Sequence, residues 1–221
     1  MVVKQVTFFK RKPGISRVDF QKHWRTTHAG LVVALPGLRR YVQNHSEPNG
    51  DREPPFDGVA EAWFDDVDAM RAIVDSSELR AIREDEPNFI DGESMGTILV
   101  DEVVIKDGEP RPEHLKLIAF VRKQDTLEPE TFQRMWREEL GVIAAELPGW
   151  ERYVQNHSRL GIYRSGRTPV YDGCAMVWAL PRAFAEAMAS EAMTRARDYE
   201  KGLFNVDEIA LAYTRPLEIP V

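Results

Sequence analysis

The sequence predicts an α+β protein made from one βαββαβ unit used twice. Three observations carry that reading. Residues 35–46 (LPGLRRYVQNHS) return at 147–158 (LPGWERYVQNHS), with ten of twelve positions identical at an offset of 112. That offset is about half of the 221-residue chain, so the repeat is a duplicated domain and not a solenoid of short repeats. Within each half, runs rich in β-branched and aromatic residues alternate with stretches of helical spacing in the same order.

Taken in order, Val2–Lys10 and Leu115–Arg122 are β-rich and open the two halves as strands. A turn follows, with Lys12-Pro13-Gly14 in the first half. Ser16 with Asp19 three residues on resembles a capping box, and Pro129 suits a first helical position. Phe20, Trp24, His28 and Leu31 then share one helical face. Leu-Pro-Gly ends that helix, and RYVQNHS is the second strand. Asp57-Gly58 and Asp172-Gly173 precede third strands at Val59–Phe64 and Cys174–Leu180. A second helix follows, capped in the first half by Asp65 or Asp66. Final strands fall near Thr97–Ile105 and Ile209–Thr214. Beyond the motif the offset drifts to 115, pairing Trp63 with Trp178 and Phe89 with Phe204. This order is the ferredoxin-like unit. Helices cover one face of such a sheet, so the expected fold packs two units sheet to sheet as an α+β barrel. The domains are 1–108 and 109–221, with the charged, Pro-rich 106–114 as linker.

Composition excludes several classes. A net charge of −7 argues against a nucleic-acid partner, whose phosphates need clustered Lys and Arg. A lone cysteine, Cys174, rules out an intrachain disulfide or a Cys-based zinc site and fits a reducing, cytoplasmic setting. The N-terminus reads as a strand and not a signal peptide, and no apolar run reaches membrane-span length, so no membrane partner is expected. Zincin, nucleophile-elbow, Walker and dinucleotide motifs do not occur.

The pattern F-x-x-x-W-x-x-x-H from Phe20 to His28, followed by LPGLRRYVQNH, resembles the EthD family of the dimeric α+β barrel superfamily. The first half follows the pattern. The second carries Leu140 for His28 and Met135 for His23, a degenerate site. The resemblance implies the barrel fold named above. Relatives there include cyclases, isomerases, lyases, cofactor-free mono-oxygenases and haem-degrading enzymes.

Several residues could carry chemistry. His28 could move a proton, or be a helix histidine bonded to a carbonyl. On the RYVQNHS strand, Tyr41, Gln43 and His45 point one way and Arg40, Val42 and Asn44 the other. So polar a strand should hold a hydrogen-bond network, with a structural role for His45 and His157, while Tyr41 and Asn44 could bind a substrate oxygen. Asp57 is a turn residue or a carboxylate that orients a histidine. The catalytic candidates are therefore His28, Tyr41, His45 and Asp57. Phe20, Trp24, Asn44 and Trp63 are substrate-binding candidates or core. His23 and His28, five residues apart, lie about 140° apart on an α-helix and cannot share a metal. No metal site is expected, and Glu84-Asp85-Glu86 reads as a solvated face.

The functional reading is an enzyme, of lyase or isomerase type and without a cofactor. It acts on a small aromatic, polyketide-like or lactone ligand by histidine-assisted proton transfer. Two alternatives stand beside it. One is a haem- or oxygen-using oxidoreductase, since haem needs only one well-placed histidine. The other is a non-catalytic carrier of small ligands. A homodimer of the barrel stays open.

Overall fold

The computed structural model describes residues 2–221. Its strands and helices follow the duplicated order. The first copy runs through β1 (Val3–Arg11), α1 (Arg17–His23), a π-helical turn at Trp24–His28 and α2 (Ala29–Val32). It continues through β2 (Leu38–Glu47), β3 (Gly58–Phe64), α3 (Val67–Ala72) and α4 (Ser77–Asp85) into β4 (Ile90–Lys106). The second copy repeats this as β5 (Leu115–Val121), α5 (Pro129–Met135), a π-helical turn at Trp136–Leu140 and α6 (Gly141–Ala145). Then come β6 (Trp150–Ser158), α7 (Leu160–Arg164), β7 (Gly173–Ala179), α8 (Pro181–Met188), α9 (Glu191–Leu203) and β8 (Ala210–Ile219). The hydrogen-bonded strand order is β1-β3-β2-β8-β5-β7-β6-β4, a closed α+β barrel order.

The caps act as their sequences require. The Ser16 hydroxyl accepts from the Asp19 N–H and donates to its carboxylate, and Asp66 accepts from the Ala69 N–H. Leu-Pro-Gly stops each first helix because Gly37 and Gly149 adopt φ of +74° and +71°.

Two compact units emerge: the chain up to Leu99 together with Arg215–Val221, and Val100–Thr214. They divide the chain differently from domains at 1–108 and 109–221. β4 is 17 residues long where a short strand near 97–105 was expected, and it continues from the first unit's sheet into the second's. β8 does the same in reverse. In the first unit β3 lies between β1 and β2, with Gln5 opposite Ala62 and Tyr41 opposite the same alanine. In the second, β7 lies between β5 and β6 in the matching register. Helices cover one face of each sheet. Under them the first unit buries Phe9, Phe20, Trp24 and Phe89, and the second buries Phe132, Trp136, Leu203 and Phe204. Burial of such side chains stabilises a fold by roughly 1.5–3 kcal/mol each.

Candidate functional site

The site in the first unit starts from the π turn. A π turn adds a residue to the helical repeat, so positions five apart come onto one face. His23 and His28 therefore converge, contrary to the 140° separation that α-helical spacing predicts. Both meet one carboxylate. His28 Nδ1 lies 2.9 Å from Asp85 Oδ2, and His23 Nε2 lies 2.9 Å from Oδ1. Asn88 Nδ2 donates to the same carboxylate at 3.2 Å. The Phe89 ring packs against both imidazoles, its centroid 4.8 Å from each.

Electrostatics follow from this packing. Burial pushes the Asp85 carboxyl up, but hydrogen bonds from His28, Asn88 and His23 outweigh it and hold the group below its ordinary value. Burial lowers His28 below 6.5, partly opposed by Asp85. A neutral His28 therefore places its proton on Nδ1, facing the carboxylate. Among the described residues no hydrogen bond reaches its Nε2, which keeps its lone pair, and His28 lines the adjoining cavity.

That cavity measures about 340 Å³ and lies between the helices and the sheet. Trp24, His28 and Tyr41 line it, with apolar walls from Leu35, Ile73 and Ile82. Arg83 and Glu86 also reach it, and burial raises the Glu86 carboxyl.

Tyr41 is a defined donor. Its oxygen accepts from Trp24 Nε1 at 3.0 Å and Gln43 Nε2 at 3.3 Å. The Gln43 amide is oriented by donating to the Trp24 carbonyl at 2.8 Å and by accepting from His45 Nε2 at 3.1 Å. With two donors aimed at its oxygen, the hydroxyl has only its hydrogen left to offer. Burial holds the phenol up at about 12, so that hydrogen stays in place at neutral pH.

Sequence reasoning placed other candidates elsewhere. His45 stacks on Trp24 at 4.6 Å and serves the Gln43 amide without lining the cavity. Asp57 is not the carboxylate that orients a histidine: it accepts from the Arg11 N–H at 3.0 Å and pairs with the Arg11 guanidinium. Gly58 is not a left-handed turn residue. A Cβ there would come within 2.6 Å of the Trp24 ring, so the glycine makes room for that ring. Asn44 and Trp63 sit on the other sheet face, where Asn44 donates to Glu61 and Trp63 lies under Lys4. Phe20 is sealed core. Asp85 was missed altogether. Its neighbour Glu84 is exposed as expected, but Asp85 is buried.

The second unit retains the scaffold. Trp136 Nε1 and Gln155 Nε2 donate to the Tyr153 hydroxyl at 3.3 and 3.0 Å, Gln155 reaches the Trp136 carbonyl at 2.9 Å, and His157 donates to Gln155 at 2.9 Å. Leu140 in place of His28 does not close this unit. Trp136 and Leu140 line a cavity of about 230 Å³.

Comparison with protein-family models places this geometry. The EthD domain model matches residues 12–93. Residues 12–93 are an EthD domain. His23, His28, Tyr41, Asp85 and Asn88 all fall inside it. No match was found among curated protein sequences. Solved structures resemble the whole chain. An anthrone oxidase-like protein is 9% identical, covering 98% of this chain and 91% of its own, with a TM-score of 0.64. A candidate monooxygenase from Fusobacterium nucleatum is 9% identical over 98% and 92%, at 0.62. A mutant chlorite dismutase from Candidatus Nitrospira defluvii is 10% identical over 96% and 90%, at 0.59. Identities this low establish the fold alone, which around the EthD domain is the ferredoxin-like α+β barrel. Among the described residues, no helix is long and apolar enough to cross a membrane.

Proposed function

We propose that the EthD-domain cavity is an acid–base site for a small phenolic or enolisable substrate of aromatic, polyketide-like or lactone type. One observation carries this reading. His28, with a lone pair free on Nε2, and Tyr41, with its hydroxyl hydrogen free, line the same largely apolar cavity.

The chemistry follows from those two atoms. The substrate's C–H or O–H proton passes to His28 Nε2. Asp85, already bonded to Nδ1–H, stabilises the imidazolium that forms. The negative charge left on the substrate collects on its oxygen, where the Tyr41 O–H donates. Return of the proton from His28 to a different atom completes an isomerisation, cyclisation or elimination. Trp24 and the aliphatic walls exclude water and hold a flat ring. The same first step also opens an oxidase reaction if the carbanion meets dioxygen, and oxygen uptake separates the two outcomes.

Haem does not fit this cavity as it stands. Its volume suits two or three fused rings, and Arg83 is the cation its lining offers against two propionates. No step is therefore routed through that group.

The test is exchange of the acidic CH₂ protons of anthrone into D₂O, followed by NMR. The protein should accelerate exchange, and His28→Ala should reduce the acceleration by about 10²–10⁴. The rate should rise with pH through a value below 6.5 and then level, because the neutral imidazole is the active form. Tight binding with no exchange would favour a carrier. Exchange untouched by His28→Ala would end the proposal.

A further inference from the structure

The second unit carries an acid that its own scaffold leaves without a donor. At the offset of 115 that pairs Phe89 with Phe204, Glu200 stands where Asp85 stands. Asp85 is satisfied by His23, His28 and Asn88. Met135 and Leu140 replace the two histidines, and no hydrogen bond or ion pair reaches the Glu200 carboxyl among the described residues. Yet Glu200 lines the 230 Å³ cavity beneath α9. Burial raises the Glu200 carboxyl, and the charge of Arg197, which lines the same cavity, opposes that only in part.

Tyr153 lines the same cavity. Like Tyr41, it accepts two N–H donors and has only its hydrogen left to give. Burial holds this phenol up at about 12, and the Glu200 charge acts in the same direction. The cavity thus offers a carboxyl acceptor and a hydroxyl donor, with Arg197 also in its lining, in an otherwise largely apolar space. A ligand hydroxyl has the chemistry for both, since it can donate one hydrogen and accept another.

We propose that this second cavity is a ligand site in its own right, taking a one- or two-ring aromatic molecule whose hydroxyl donates to Glu200 and accepts from Tyr153. Size supports the class: a dry cavity of about 150 Å³ already accepts benzene, and this one is larger. Met188 and Met193 form part of the wall, where thioethers make favourable contacts with ring edges. The site does not depend on the acid–base reading of the first unit.

The methionines also supply the test. Met188 and Met193 line this cavity, whereas Met70 and Met95 line the EthD-domain cavity. The full chain labelled with ¹³C at methionine methyls is titrated with 2-naphthol and, separately, with naphthalene. The Met188 and Met193 signals should shift and saturate with 2-naphthol at lower concentration than with naphthalene. Glu200→Leu should weaken that titration by about ten- to a hundredfold. Glu200→Gln should weaken it less, because its amide still accepts. His28→Ala should leave it unchanged while altering the response of Met70 and Met95. Dispersed Met188 and Met193 signals in the unliganded Glu200 variants certify folding of the second unit. Equal affinity for naphthalene and 2-naphthol, indifference to Glu200→Leu, or shifts confined to Met70 and Met95 would each overturn the proposal.

Discussion

In the first unit the π turn presents His28 to Asp85, with Tyr41 across the cavity. In the second the same turn, with the same tryptophan, glutamine, tyrosine and histidine around it, presents Leu140 instead. The contrast separates scaffold from chemistry. Gln43 and Gln155 each donate to the carbonyl of the tryptophan that begins the turn, and that carbonyl also accepts the N–H five residues on. Each motif therefore anchors a π turn, which explains its near-identity in both halves. The proposed proton transfer rests on positions 23, 28 and 85, and there the halves differ.

The largest effect that would break this comparison is loss of the shared carboxylate. Asp85→Asn leaves one acceptor oxygen for two imidazoles and removes the charge that supports a His28 imidazolium. Exchange in the EthD-domain cavity should fall by about a hundredfold or more. Its pH midpoint should also drop further, since the Asp85 contribution that raises His28 disappears. An unchanged rate and midpoint in the NMR exchange assay would reduce Asp85 to packing.

Much of this was legible in the sequence, and the rest has physical reasons for being hidden. Element order, the Ser16 and Asp66 caps and the alternation along RYVQNHS follow from local rules. The π turn does not, because periodicity arguments assume 3.6 residues per turn. Asp85 was hidden by its acidic neighbours. A signal existed: it lies three residues after Ile82 and four before Phe89, on the inner face of its helix. The continuation of β4 into the second unit was also invisible, since Gly92 and Gly96 interrupt a strand pattern that only long-range pairing sustains.

A smaller effect tests whether the two scaffolds are equivalent. His45 and His157 each donate through Nε2 and leave a buried Nδ1 without a partner. Burial, with a nearby arginine, lowers both to about 4. Unfolded histidine titrates near 6.5. Between those values the unfolded chain binds more protons, so stability falls as pH drops through that window. Denaturant melts at pH 6.5 and 4 should show less acid loss for His157→Gln, by on the order of 2 kcal/mol. The more exposed His45 should give a smaller change. A larger change at His45 would show that the two networks differ in burial.

The smallest expected effect concerns the tyrosine hydroxyls. Tyr41→Phe and Tyr153→Phe each remove the acceptor of a buried tryptophan N–H, while the glutamine amide keeps its carbonyl partner. The stranded donor should cost each unit about 0.5–1.5 kcal/mol, read as a lowered Tm. Equal losses follow if both hydroxyls serve only the scaffold that the units share. The donor role adds a difference that melting alone does not report. In the proposed reaction the Tyr41 hydroxyl donates to the oxygen that gains charge, so Tyr41→Phe should slow anthrone exchange by more than its stability loss explains. The comparison is made well below the variant's Tm, where the folded fraction is complete and any remaining rate loss belongs to the cavity. If the slowed rate recovers fully once the folded fraction is matched, Tyr41 is scaffold in the first unit as well, and His28 acts without an oxyanion donor.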